Sequence, residues 1–247
     1  MRRSAAKEVK PPLQKVKTIY IGDNLDIKQA TLQIIAATKD PVIKGIILFV
    51  SNGGGSTIGY ATLHDTIKNA RTFKPVVCIT NRACSGGYMI ASAADYIIAY
   101  DISQIGCIGV ITEFTQYKMP RIQNQNGVNA DLTVEVFAAG EFKSICSTYH
   151  GALSEKERAL MQKATNDLYD AFISMIAKDR ALNKDNAHDW ADAKIFLANE
   201  ALNLGLIDQI GTMFDAEAKI AELIQTKTYQ PYPDYKIQYL FGDDKAA

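Results

Sequence analysis

The sequence lacks the features that would place it in several classes of protein. Its longest apolar run, residues 46–50, is far shorter than the roughly 18 to 20 residues that a membrane-spanning helix requires. Lysine plus arginine (27) balances aspartate plus glutamate (27), so no overall positive charge attracts nucleic acid or an anionic membrane. We therefore expect no nucleic-acid partner and no membrane-spanning segment in this chain.

Cysteine is also scarce. The spacing of Cys78, Cys84, Cys107 and Cys146 matches no zinc-binding pattern, and a chain of 247 residues can bury a core without disulfides. We interpret all four as reduced thiols. Because the chain shows no export signal, this favours a cytoplasmic location, with a membrane-associated or periplasmic location as the alternative if an anchor has been removed.

Short β-rich runs alternate with longer amphipathic runs along most of the chain. This alternation is typical of parallel strands connected through helices, so we expect an α/β fold with a parallel β-sheet flanked by helices. The predicted strands are residues 18–21, 45–50, 76–80, 96–99 and 132–137. The predicted helices are residues 26–38, 60–70, 196–204 and 215–224, and a long helix that follows a capping box at 154–157 and continues to about residue 182.

The sequence contains no internal repeat and no linker. We therefore expect one domain over residues 15–226, preceded by a flexible N-terminal arm at 1–14 and followed by a tail rich in tyrosine and proline at 227–247.

Two glycine clusters each follow a predicted strand and begin a predicted helix. Residues 51–56 read Ser-Asn-Gly-Gly-Gly-Ser, and residues 84–87 read Cys-Ser-Gly-Gly. Glycines at such turns allow positive φ and close backbone approach, and the free N–H groups of a helix start favour a ligand that carries negative charge. The first cluster lacks the ending of a P-loop and the spacing of a dinucleotide fingerprint, so an ordinary tight turn is an equally good interpretation.

Ser85 lies between small residues at the start of a helix, where its hydroxyl is accessible and its amide is free to donate. This position suits a nucleophile, although a helix-capping serine is the commoner occupant. A nucleophile also needs a base. Among the three histidines, His64 and His188 stand beside aspartates in polar segments, which leaves His150 as the best histidine candidate.

Lys143 is the other candidate base, because it lies in a largely apolar segment just after a predicted strand. A lysine acts as a base only when it is neutral. Its pKa, ordinarily about 10.4, must therefore fall by several units through burial away from water and carboxylates. Most lysines are surface charges, so the residues alone leave both interpretations open.

Taken in order, several blocks resemble signal peptide peptidase A-type serine proteases, the S49 peptidase family. The blocks are residues 50–55, 83–88, 91–97, 106–110, 140–143 and 205–211, so the resemblance covers roughly residues 15 to 225. It implies a ClpP/crotonase-like fold, hydrolysis of peptides or unfolded polypeptides that needs no metal or organic cofactor, and assembly into a homo-oligomer. Signal-peptide remnants are among the substrates that it implies.

The resemblance also implies roles for individual residues. Ser85 matches the nucleophile and Lys143 the general base of a Ser-Lys dyad, and the amides of Gly54, Ser85 and Gly86 match the oxyanion hole. Cys107 stands where the family usually has a serine that orients the lysine. A thiol is a weaker hydrogen-bond partner than a hydroxyl, so we expect Lys143 to be held less firmly.

Asn52 is a second departure, because the family commonly has proline at this position.

Two other functions stay open. A catalytically impaired scaffold for peptide binding or assembly is favoured by Cys107. A crotonase-type acyl-CoA enzyme would use the same glycine turns to stabilise a thioester enolate.

Overall fold

The computed structural model describes residues 15–114, 122–123, 129–130, 135, 137–147 and 152–233, with the backbone alone described at 122–123, 129–130 and 146. The chain divides into two compact units. One comprises Met1–Ile108 and Ile176–Ala247, and the other comprises Gly109–Met175. We did not predict this division, because no linker or change of composition marks either boundary.

The strands of the first unit form a six-stranded, mostly parallel sheet. They are β1 (Lys15–Ile21), β2 (Ile43–Asn52), β3 (Val76–Cys84), β4 (Tyr96–Gly106), β7 (Ile195–Leu197) and β8 (Gln209–Ile210). Their order is β1-β2-β3-β4-β7, and β8 also pairs with β4. Only β7 is antiparallel to its neighbour among these pairings. The short strands β5 (Ile122–Gln123) and β6 (Asn129–Ala130) pair with each other in the second unit.

Helices connect these strands. The helices are α1 (Ile27–Lys39), α2 (Thr57–Ala70), α3 (Gly86–Ser92), α4 (Glu155–Arg180), α5 (Ala187–Trp190), α6 (Ala198–Asn203) and α7 (Met213–Thr226). Single turns of 3₁₀ helix occur at Lys143–Cys146 and Lys184–Asn186. None of the helices within the described residues is long and apolar enough to cross a bilayer.

The core of the first unit lies on both faces of the sheet. Helix α7 packs against β2 and β3 on one face, where Ile220 and Leu223 join Ile47, Val77 and Ile79 in a buried cluster. Helix α2 packs against α1 and α3, while α1 packs against β1 and β2, and α3 packs against β2, β3 and β4. The expected α/β class, a mostly parallel sheet flanked by helices, is therefore confirmed.

Most predicted elements lie inside observed ones or extend beyond them by at most two residues, with two exceptions. The predicted strand at 132–137 falls largely outside the described residues. The predicted helix at 196–204 is wrong at its start, because Ile195–Leu197 forms β7 and alternates between exposed and buried side chains as it pairs with β4. Three apolar residues in a row fit a helix start and a short strand equally well, so the pattern alone did not separate them.

The capped start of α4 is confirmed. Glu157 N–H donates to Ser154 Oγ at 3.3 Å, and Ser154 N–H donates to Glu157 Oε2 at 2.8 Å. These reciprocal bonds satisfy backbone donors that have no acceptor within the helix. The helix ends at Arg180, before the expected residue 182, because Ala181 adopts a positive φ of 53°.

Candidate active site

The two glycine turns are neighbours because they follow neighbouring parallel strands. Asn52, the last residue of β2, pairs with Ala83 of β3, so both strands end at the same edge of the sheet. The turns then come into contact. A methyl group added to Gly54 would lie 2.7 Å from Ser85 Cβ and 3.0 Å from Ser85 Oγ. The structure therefore brings together Gly54 and Ser85, which are 31 positions apart in the sequence.

Ser85 has an unusual backbone conformation. It joins β3 to α3 with φ of 51° and ψ of −123°, in the region that residues with a side chain rarely adopt. Its side chain is partly exposed and makes no capping hydrogen bond to α3. The helix-capping interpretation of Ser85 therefore does not describe this serine, and its hydroxyl lies at a sharp strand-to-helix turn of the kind that presents a nucleophile.

The amide of Ser85 is not free, which corrects the prediction from the sequence. Its N–H donates to the carbonyl oxygen of Gly106 at 2.7 Å. Cys84 pairs with Gly106 in the ladder between β3 and β4, and this bond continues the ladder by one residue. A buried backbone donor takes such a partner wherever one is within reach. Of the three amides predicted to bind an oxyanion, the Ser85 amide is thus already hydrogen-bonded within the sheet.

Gly54 and Gly86 differ from Ser85 in this respect. Gly54 has a positive φ of 107°, and its N–H donates at 2.8 Å to a side chain, the Oδ1 atom of Asn52. Gly86 is the first residue of α3, so its N–H is one of the helix amides that have no acceptor within the helix. Gly86 N lies 2.9 Å from the position of a methyl group added to Gly54. These two amides therefore belong to one small region beside Ser85.

An ion pair that we did not predict supports the first glycine turn. Asp23, just after β1, accepts a hydrogen bond from Gly53 N–H at 3.0 Å and pairs with Arg82 of β3. The hydrogen bond from Gly53 and the Arg82 guanidinium hold the pKa of Asp23 below its ordinary value. The signal in the sequence was an acidic residue two positions after a predicted strand, at the edge of the sheet where the glycine turns also lie.

Lys143 lies in the second unit, at the start of the 3₁₀ turn Lys143–Cys146. Its side chain is exposed, so of the two interpretations that the residues left open, a surface lysine describes the single chain. Consecutive residues point in different directions, so the half-buried Phe142 and Ile145 do not bury the lysine between them. Nearby, the exposed side chains of Glu141 and Lys156 form an ion pair.

Cys107 also has a positive φ, of 49°, and its N–H donates to the carbonyl oxygen of Lys194 at 2.6 Å. Its side chain is partly exposed, and Cys78, Cys84 and Cys107 are all free thiols. Burial and the nearby Cys107 raise the pKa of Cys84 to about 11, so Cys84 is a protonated thiol at neutral pH. The side chain of Cys146 lies outside the described residues.

The histidines do not supply an alternative base in the described part of the chain. His64 is buried, with Nε2 2.5 Å from Asp179 Oδ2 and Nδ1 3.1 Å from Asp65 Oδ1. It therefore belongs to a structural cluster between α2 and α4, as its sequence neighbours suggested. His188 is exposed beside Asp189, and His150 falls outside the described residues.

Comparison with known proteins places the chain in one family. Residues 68–227 match Peptidase family S49. A protein of Methanocaldococcus jannaschii named as a protease is 32% identical over 186 residues, which cover 75% of this chain and 58% of that protein. Protease 4 of Haemophilus influenzae is 30% identical over 218 residues, which cover 85% of this chain and 33% of that protein.

A protein of Enterococcus faecium named for signal peptide peptidase SppA is 30% identical over 186 residues, which cover 74% of this chain and 52% of that protein. The chain thus spans between 33% and 58% of the length of these relatives. The family match extends over both units and includes Ser85, Cys107 and Lys143. With its mostly parallel sheet flanked by helices, this chain is a member of peptidase family S49, whose fold is ClpP-like.

Proposed function

We propose that the chain is a serine endopeptidase that hydrolyses peptides or unfolded polypeptides through a dyad of Ser85 and Lys143. The observation that carries the proposal is the conformation of Ser85, a residue at positive φ whose hydroxyl makes no capping bond to its own helix. Strained backbone of this kind persists only where the surrounding structure enforces it, and it is concentrated at functional sites. Membership of the S49 family supplies the class of reaction.

In the proposed reaction, Ser85 Oγ attacks the carbonyl carbon of the peptide bond while its proton passes to the neutral Nζ of Lys143. The new C–O bond pushes an electron pair onto the carbonyl oxygen, which becomes an oxyanion. As the C–N bond breaks, Lys143 returns the proton to the leaving amine. Water, deprotonated by the same lysine, then attacks the acyl carbon, the ester C–O bond breaks, and Lys143 returns the proton to Ser85 Oγ.

The amides of Gly54 and Gly86 are the proposed donors to the oxyanion. Gly86 N–H is directed by the first turn of α3, and Gly54 lies beside it. Donors placed where negative charge develops stabilise the transition state more than the ground state. Because Gly54 N–H is bonded to Asn52 Oδ1, the substrate oxygen has to replace that side-chain acceptor.

The proposed role of Lys143 as general base sets a further requirement. Its side chain is exposed in the single chain, whereas a general base needs a neutral amine and therefore a dry environment. We propose that bound peptide and a neighbouring copy of the chain exclude water from Lys143. This requirement favours activity in an assembled homo-oligomer. The relative named for signal peptide peptidase makes signal-peptide remnants one class of substrate to test.

Ser85→Ala and Lys143→Ala variants of the full chain test the dyad. We expect either change to reduce hydrolysis of a quenched fluorescent casein by at least about 1000-fold, because the members of a dyad act as one unit. Lys163→Ala is the matched control. Lys163 is also an exposed lysine of the second unit, paired with Asp167 on the surface of α4, and its removal should leave hydrolysis unchanged.

A fluorophosphonate probe, followed by peptide mapping, identifies the reactive serine independently of substrate choice. We expect one modified residue, Ser85, and no modification in the Lys143→Ala variant. Activity that survives Ser85→Ala, or a label on another serine, would overturn the proposal.

A non-catalytic scaffold is the second candidate function. It is favoured by the exposed side chain of Lys143 and by a thiol, Cys107, where the family usually has a serine hydroxyl. An inactive parent chain that still binds unfolded casein would support this function. Binding of an acyl-CoA thioester by an inactive parent chain would instead support a crotonase-type enzyme.

A further inference from the structure

Tyr60 is a buried residue near the start of α2. It is the fourth residue of α2 and is 5% exposed. Its position relative to the two glycine turns gives it a more specific role.

The ring of Tyr60 lies between the two turns. A methyl group added to Gly55 would lie 2.9 Å from Tyr60 Cε2, and one added to Gly86 would lie 2.6 Å from Tyr60 Cδ1. These ring atoms are on opposite edges of the phenol. One edge of the ring therefore contacts the turn after β2 and the other contacts the first turn of α3, so the ring sets the spacing between them.

The hydroxyl of Tyr60 contacts the same region. It lies 2.9 Å from Asn52 Oδ1 and 2.9 Å from the carbonyl oxygen of Gly54. A phenol has a single proton to donate, so these two acceptors share one donor. Asn52 Oδ1 also accepts the Gly54 N–H, which means that both peptide groups of Gly54 are held by this pair of side chains.

Asn52 is itself fixed. It is fully buried, and its Nδ2 donates to the carbonyl oxygen of Gly22 at 2.5 Å. If Gly54 N–H turned to a substrate oxygen, the buried Oδ1 of Asn52 would lose one donor. An unpaired buried acceptor is costly, and Tyr60 O–H is already within hydrogen-bond distance to replace that donor.

We infer that Tyr60 is a positioning residue for hydrolysis: its ring spaces the two oxyanion-binding turns, and its hydroxyl pairs Asn52 Oδ1 when Gly54 N–H transfers to the substrate oxygen. This inference rests on the proposed peptidase function. Tyr60 touches neither the peptide nor Ser85 Oγ in the proposed reaction and acts through Gly54 and Asn52. Burial raises the pKa of Tyr60, which keeps the phenol protonated and able to donate.

Tyr60→Phe tests this role, because it keeps the ring and removes only the hydroxyl. The matched control is Tyr88→Phe. Tyr88 is another buried tyrosine, and its hydroxyl donates at 2.7 Å to Leu206 O, away from the glycine turns. Both variants lose one buried hydroxyl, so their thermal stabilities should fall by similar amounts, and kinetics are measured where both are fully folded.

We expect Tyr60→Phe to lower kcat for peptide hydrolysis by about 10- to 100-fold with KM nearly unchanged, because the lost donor matters most when the oxyanion forms. A tripeptide aldehyde forms a tetrahedral adduct with a nucleophilic serine, and its affinity should weaken by the same factor. Tyr88→Phe should leave kcat and aldehyde affinity within about 2-fold of the parent.

The outcomes separate this inference from the function on which it rests. If the parent chain is active in a Ser85-dependent way and Tyr60→Phe behaves as Tyr88→Phe does, the role of Tyr60 is wrong and the peptidase function stands. A rise in KM with unchanged kcat would also contradict it, since that is a loss of ground-state binding. A parent chain with no Ser85-dependent hydrolysis overturns both.

Discussion

The two residues of the proposed dyad occupy regions of opposite character. Ser85 follows a strand of the first unit, and the neighbouring glycine turn is held by Asn52 and Tyr60, both buried. Lys143 begins a 3₁₀ turn of the second unit, is exposed, and has exposed side chains in ion pairs nearby. The peptide groups of Gly54 are hydrogen-bonded to these two side chains, whereas the lysine is open to water.

The proposed chemistry requires both donors to the oxyanion and a neutral lysine, and this difference shows that the fold of one unit meets only the first requirement. Hydrogen-bond donors can be positioned by local packing within one unit. A lowered lysine pKa needs water to be excluded, and the segment that carries Lys143 does not exclude it alone. We therefore expect the glycine turns to be sensitive to small changes in packing, and the segment around Lys143 to tolerate changes in its surface contacts.

The largest expected effect comes from Gly87→Ala. The added methyl group would lie 2.3 Å from the carbonyl oxygen of Asn52, which is backbone and cannot move aside as a side chain can. We expect a loss of about 3 kcal/mol in the free energy of unfolding, measured in urea, and loss of hydrolysis.

Gly59→Ala is the control for this change. Gly59 lies within α2, and its added methyl group would lie 3.2 Å from a flexible side chain, Ile27 Cγ1. We expect a change within about 1 kcal/mol, because alanine also favours the helix more than glycine does. Equal stabilities for the two variants would show that the glycine turns are not tightly packed.

The next largest effect concerns Asp179 of α4, which anchors α2. Burial raises the pKa of Asp179, but hydrogen bonds from His64 and Lys68 outweigh burial and hold the pKa below its ordinary value of 3.8. The ionised carboxylate therefore stabilises the fold at neutral pH, and this contribution is lost as the pH falls through the lowered pKa. We expect Asp179→Asn to cost about 2 kcal/mol at pH 7 and progressively less below pH 3.8.

Asp65→Asn is the matched control. Asp65 also contacts His64, at 3.1 Å, but its side chain is 75% exposed. We expect a change below about 1 kcal/mol at pH 7 in the same urea titrations. A cost as large as that of Asp179→Asn would mean that burial does not decide the strength of these contacts.

The smallest effect is expected near Lys143. Lys156 pairs with Glu141, and its ammonium lies 5.3 Å from the centre of the Phe142 ring, but the side chains of the ion pair are 67% and 62% exposed. We expect Lys156→Ala to change the free energy of unfolding by less than about 1 kcal/mol. A cost above about 2 kcal/mol would show that this segment is held as firmly as the glycine turns.

The sequence predicted those parts of the fold that depend on local patterns. The runs at 18–21 and 45–50 lie within β1 and β2, and the capping box at 154–157 identifies the start of α4. Ser85 was singled out because it lies between small residues where a predicted strand meets a predicted helix, and the structure has β3 and α3 on either side of it.

The contacts of the site were less predictable, because they depend on packing between distant residues. The Ser85 amide donates to Gly106 because of the register between β3 and β4. The residue types near Ser85 do not determine that register. Tyr60 fits the apolar face of α2 as any large residue would, and only the packing of α2 shows that its hydroxyl reaches Gly54. The exposure of Lys143 could not be inferred from its apolar neighbours.

The antiparallel pairing of β7 with β4 has a consequence for how the chain is made. Cys107 N–H and the end of β4 obtain their partners from residues 194–197, so nearly ninety positions must be synthesised before that side of the sheet is covered. Until then an emerging chain presents an unpaired edge of β4 directly beside the turn that carries Ser85. Fragments that stop before residue 194 should for this reason be prone to aggregate through that edge, whereas chains that include β7 should not.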